Sequence, residues 1–99
     1  MYNYFMLIGR LEKKKVLDDG SNNITLKCVD AFKDENGNYN SKDYHISCPQ
    51  YVYNAIENVE LGEPIGIKGH IEPNPVTNMV LLVADRVIHF MRGGTDDGN

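Results

Sequence analysis

The stretch Asp43–Ile71, DYHISCPQYVYNAIENVELGEPIGIKGHI, changes its hydrophobic period twice, and that change decides the fold. Asp43 to Cys48 alternates as a strand does. Pro49 ends that strand and suits the first turn of a helix. Val52, Ala55, Ile56 and Val59 then recur at i, i+3, i+4 and i+7, which is one apolar stripe on a short helix. Gly62 fits the C-terminal cap of that helix. From Pro64 to Ile71 the period returns to two, with Ile65, Ile67 and Ile71 facing inward. Gly69 shares the inward side, where a missing side chain permits a bulge or a sharp bend.

Upstream, Tyr2 to Leu11 is apolar on both alternating faces, with Phe5, Leu7 and Leu11 on one side and Tyr4, Met6 and Ile8 on the other. A strand of that kind is covered twice, by a barrel interior and by another subunit. Leu17 to Asn22 reads as a turn. Asn23 to Ala31 alternates again, Ile24, Leu26 and Cys28 facing one way and Thr25, Lys27 and Val29 the other. Lys33 to Lys42 is a polar arm centred on Asn36-Gly37, a hairpin signal because both residues tolerate positive φ. Downstream, Glu72-Pro73-Asn74-Pro75 is a turn and Met79 to Phe90 a fifth strand. Three strands, one short helix and two strands is the order of an all-β, five-stranded OB-fold Greek-key barrel.

A chain of 99 residues makes one domain, expected over residues 1–92, with 93–99 as a short flexible tail. No stretch approaches the roughly 18 apolar residues of a membrane span. The start, Met1-Tyr2-Asn3-Tyr4, has no basic region of the secretory kind, which points to the cytoplasm. Cys28 and Cys48 are expected as buried thiols rather than a disulfide. His45, His70 and His89 are scattered without zinc-ligand spacing, so no metal is expected, nor any other cofactor. Cys48 lies three residues from His45, which on a strand puts the two on opposite faces, and no Gly-rich phosphate loop appears. The sequence therefore reads as a non-enzyme. A net charge of −4 confines any nucleic-acid surface to a local concentration of Lys and Arg, and Lys13-Lys14-Lys15 begins one in the first loop.

Five segments, in order, resemble the bacterial single-stranded DNA-binding protein family. They are Leu7-Ile8-Gly9-Arg10-Leu11, Asn23-Ile24-Thr25-Leu26 followed by Phe32-Lys33, Tyr44-His45, Leu61 to Gly69, and Val83-Ala84-Asp85-Arg86-Val87. The resemblance covers about residues 5 to 90. It implies binding of single-stranded DNA without strong sequence preference, in replication, recombination or repair, and assembly as a homotetramer or homodimer. The departures are specific. There is no Trp, Glu72 stands where a basic residue is common, and the chain ends Thr95-Asp96-Asp97-Gly98-Asn99 without the acidic Pro-Phe tail that recruits replication proteins. The short final hairpin and missing tail also resemble a primosomal replication protein. A protein–protein module without nucleic acid is the reading from a third class, favoured by the acidic balance and the absent Trp.

Single strands offer base faces and a line of phosphates, which call for flat π surfaces and spaced cations. The resemblance assigns Phe32 and Tyr44 to stacking, with packing at the hairpin base as the alternative for both. Tyr39 on the arm joins them, whereas Phe5 and Phe90 are expected in the core. The cation candidates are Lys27 on strand two, Lys33 and Lys42 flanking the arm, Lys13 and Lys15 in the first loop, Arg10 on strand one and Lys68 on strand four.

Overall fold

The computed structural model describes residues 3–90. Strands β1 (Phe5–Val16), β2 (Asn22–Val29) and β3 (Ser41–Cys48) precede the one-turn helix α1 (Gln50–Tyr53), and β4 (Pro64–Pro73) and β5 (Val80–His89) follow it. They close a barrel in the order β1-β2-β3-β5-β4, with β4 paired back on β1. Every pairing is antiparallel except β3 with β5, where Ile46 and Ser47 lie beside Leu82 and Val83. This is the predicted order of elements.

Alternation fills the interior. Leu11, Ile24, Leu26, Ile46, Ile65, Ile67 and Ala84 bring all five strands to one buried cluster. Val52, Ile56 and Val59 join it from the segment between β3 and β4. Each Leu or Ile taken from water in this way contributes about 1.5–3 kcal/mol. The predicted stripe holds at three of its four positions, and Ala55 is exposed. Beyond α1 the chain coils through Ala55 N–H to Val52 O, Ile56 N–H to Tyr53 O and Val59 N–H to Ile56 O. These tighter three-residue turns rotate Ala55 out of the apolar line.

Two bulges shape the barrel. On β4 the register shifts between Lys68 and Gly69, leaving Asp85 of β5 unpaired. A Cβ at Gly69 would meet the Val83 carbonyl and come within 2.8 Å of the Phe5 ring, so the bend needs glycine. On β1 the register shifts between Leu11 and Lys13 and leaves Glu12 unpaired. Here the structure corrects the first loop. Lys13, Lys14 and Lys15 belong to β1, which runs 12 residues because the bulge lets one strand pair with β4 first and with β2 afterwards.

Other sequence expectations change in detail. Ile71 is exposed at 36% because it pairs with Leu82 towards the tip of the β4–β5 ribbon, and Phe90 at 41% because it follows the last residue of β5 at the other end. Pro49 is the N-cap of α1. Cys28 and Cys48 are free buried thiols, and burial pushes the Cys48 thiol up to about 12. Cys48 points inward while His45 is exposed on the outer face, so the two do not meet. The expected tail, residues 93–99, lies outside the described residues.

Candidate nucleic-acid interface

The site is built on the outer face of β1, β2 and β3. On β2 the residues that alternate with the core are Asn23, Thr25, Lys27 and Val29. Arg10 lies opposite Lys27, Lys13 opposite Thr25 and Lys15 opposite Asn23. The bulge at Glu12 makes this alignment. Before it, Leu7, Gly9 and Leu11 face inward; after it, Lys14 takes the inner side and Lys13 and Lys15 the outer. Lys14 is thereby withdrawn from the surface, its Nζ donating to the carbonyls of Glu57 at 3.2 Å and Val59 at 2.9 Å. Lys27 stands 3.8 Å from Glu12, a loose exposed pair. Arg10 donates from Nη1 to the Gly62 carbonyl at 2.9 Å, which fixes its stem and leaves its other donors for a ligand. A cleft of about 350 Å³ lies beside these two cations, walled by Ile8, Val29 and Pro64.

The arm between β2 and β3 carries the aromatics. It is closed by Asp30 N–H to Asn40 O, Asp34 N–H to Asn38 O and Gly37 N–H to Asp34 O. Only Gly37 of the predicted Asn36-Gly37 pair takes positive φ, so the turn is the three-residue kind with glycine in the left-handed position. Asp34 organises it. Its carboxylate accepts from the N–H groups of Asn36 and Asn38, each at 2.9 Å, and from the Asn40 amide at 2.8 Å. Those bonds hold its pKa below the ordinary value. Phe32 sits at the root of the arm and is 85% exposed. It packs no hairpin base. Lys33 lies over the Tyr39 ring, 5.6 Å from its centroid, and pairs a cation with an exposed π surface.

Three of the sequence candidates stand elsewhere. Tyr44 has the parity of Ile46 and Cys48, lies opposite the buried Leu26 and packs, half-buried, against the core. Lys42 is held by Asp30 at 2.8 Å, and that hydrogen bond raises its pKa. Lys68 is on β4, opposite Met6, with its Nζ 5.8 Å from the Tyr4 ring centroid. It belongs to the face of β1, β4 and β5, where Tyr4, Met6 and Ile8 are exposed at 66, 48 and 56%. Sequence reasoning passes over Asn23 and reads His45 as a packing or interface residue, yet both stand on the outer face. Their signal was parity with Thr25 and Lys27 on β2 and with Asp43 on β3.

No protein-family model matches the chain, and no curated protein sequence does. Solved structures do. A small single-stranded DNA-binding protein from Mycoplasma pneumoniae matches over 97% of this chain and 100% of its own, at 16% identity and a TM-score of 0.68. Plasmodium falciparum SSB, in complex with ssDNA, matches over 92% and 96%, at 16% identity and a TM-score of 0.65. The single-stranded DNA-binding protein of Thermus aquaticus matches over 94% of this chain at 20% identity and a TM-score of 0.62, and this chain spans only 52% of that one. At such identities the likeness establishes the fold, an OB barrel.

Proposed function

We propose that this barrel binds single-stranded DNA, with little preference for sequence, across the outer face of β1–β3 and the arm. The observation that carries the reading is the surface itself. Arg10, Lys13, Lys15 and Lys27 share one side of the sheet, and the exposed Phe32 and the Lys33–Tyr39 pair extend it. Cations spaced along strands meet phosphates, and exposed rings receive bases whatever their identity. No helix long enough to enter a duplex groove is present among the described residues, α1 being four residues. The solved neighbours named above bind single strands on the same fold, which supports the reading. The cellular setting that fits is a strand exposed in cytoplasmic replication, recombination or repair.

Self-association belongs to the same proposal. Residues 5–8 of β1 pair with β4 on one edge only, since β2 comes against β1 at Gly9 and its pairing begins at Arg10. An unpaired strand edge beside exposed Tyr4, Met6 and Ile8 is a template for a second copy. The deciding experiment is titration with an oligothymidylate and with a duplex of equal length at two salt concentrations. Salt-sensitive binding that excludes duplex is the expected result. Equal or better affinity for duplex removes the proposal.

A further inference from the structure

A second cleft, of about 270 Å³, opens on the outer face at the far end from the arm, between Lys13, Lys15, Leu17, Asn23, Thr25 and His45. Its chemistry is one-sided. No carboxylate lines it. Among the described residues the side chains of Lys13, Lys15 and Asn23 have no hydrogen-bond or ion-pair partner. The two ammonium stems leave β1 on the same side with one residue between them, about 7 Å apart along the strand. Like charges placed so close in a concave site repel unless an anion lies between them.

The floor supplies further donors. Thr25 is 7% exposed although it faces outward, and its hydroxyl lies 3.1 Å from His45 Nδ1. That contact occupies Nδ1, so Nε2 is the ring nitrogen left for a ligand. With Thr25 donating to Nδ1, Nε2 carries the hydrogen, and an anion against Nε2 selects that tautomer. The cleft falls below the roughly 300 Å³ at which whole small-molecule sites begin. It has one apolar wall, Leu17, and no Phe, Tyr or Trp ring to serve as a broad platform for a base.

We infer that this cleft is a phosphate subsite in which Lys13 Nζ, Lys15 Nζ, Asn23 Nδ2 and His45 Nε2 donate to one phosphate group. That the phosphate is carried by a bound single strand rests on the function proposed above; the cleft's preference for an oxyanion does not. The bulge at Glu12 is its structural precondition, because without it Lys13 and Lys15 would face the interior.

The test has two arms on the full chain. In the first, inorganic phosphate is titrated against chloride at equal ionic strength, with His45 ring and Lys13, Lys15 and Asn23 amide signals followed by NMR. Saturable shifts specific to phosphate are expected. In the second, oligothymidylate affinity is measured against salt for the native chain, Lys15→Met, His45→Leu and His45→Gln. Lys15→Met should weaken binding and reduce the salt slope by about 0.7, one single-strand phosphate contact. His45→Leu should lose about fivefold, a donor's worth, and His45→Gln, which keeps an N–H, should recover most of it. Lys15 has no partner to lose, so its variant reports even if the His45 variants fold poorly. Phosphate shifts no larger than those of chloride, or an unchanged slope in Lys15→Met with strand binding intact, overturn the subsite while the single-strand reading stands. Phosphate binding in a chain that ignores oligothymidylate upholds the oxyanion site and overturns only the strand as its source.

Discussion

Phe32 and Tyr44 entered as equals, and their surroundings separate them. Phe32 offers an exposed ring at the root of the arm, whereas Tyr44 packs inward beside Leu26. Phe32→Ala should therefore lower single-strand affinity by about 1–3 kcal/mol, the worth of a stacked base, and leave the melting temperature unchanged. Tyr44→Ala should lower stability by about 2–3 kcal/mol through the cavity it opens, and affinity should fall with it. Thermal melts and tyrosine fluorescence titrations on both variants make the check; an unchanged affinity in folded Phe32→Ala removes that ring from the site. Asp34 gives a prediction whose sign discriminates. If its only role were charge, Asp34→Ala would strengthen binding by removing a repulsive carboxylate. Because it holds three donors of the arm, Asp34→Ala should weaken binding, and Asp34→Asn, which keeps one accepting oxygen, should restore much of the loss. The inward parity of Tyr44 is legible in its spacing from Ile46 and Cys48, whereas the resemblance assigns it to stacking. The capture of Lys42 by Asp30 was not legible, since the pair forms only once the hairpin register is set.

At the scale of elements, the alternation of β1, β2 and β4 could be read directly, because each strand buries one face and every second residue reports it. The bulge at Glu12 could not. Three consecutive lysines carry no hydrophobic period, and which of them turns inward depends on carbonyls left open near Val59, more than forty residues away. The glycine at 69 did announce the second bulge, because a side chain has no room there. That bulge carries a pH-dependent clasp. The unpaired Asp85 accepts from His70 Nδ1 at 2.9 Å, and Glu72 meets Nε2. The bond to Asp85 first, and that to Glu72 second, raises the His70 pKa above 6.5. A folded-state pKa raised in this way means that the charged ring stabilises the hairpin below the ordinary imidazole value, and that this contribution fades as pH rises through the higher folded value. The melting-temperature gap between the native chain and His70→Asn should thus be widest below the ordinary imidazole value and close as pH rises through the higher folded one. A gap that widens with pH would reverse the assignment.

On the scale of the whole molecule, the barrel divides its surface between two tasks that meet along β1. After the bulge, β1 faces outward with lysines beside β2; before it, with Tyr4, Met6 and Ile8 beside β4. The cations suit a strand of nucleic acid and the apolar run suits a second copy, so the two functions should separate by mutation. Tyr4→Glu with Met6→Glu puts charge on the exposed side of residues 4 and 6, clear of the cleft at Arg10 and Lys27 and without touching the core cluster. Light scattering should show the native chain as an oligomer at micromolar concentration and this variant as a monomer. An oligothymidylate short enough for one barrel should bind both with equal affinity, because its contacts lie on the outer face of β1–β3 and on the arm. A longer one should favour the native chain by about 10²-fold or more, since the second barrel engages at the high effective concentration that linkage provides. A native chain that is already monomeric would leave the apolar run without a covering copy. Equal loss on short and long strands would place Tyr4 and Met6 inside the binding surface and undo the division.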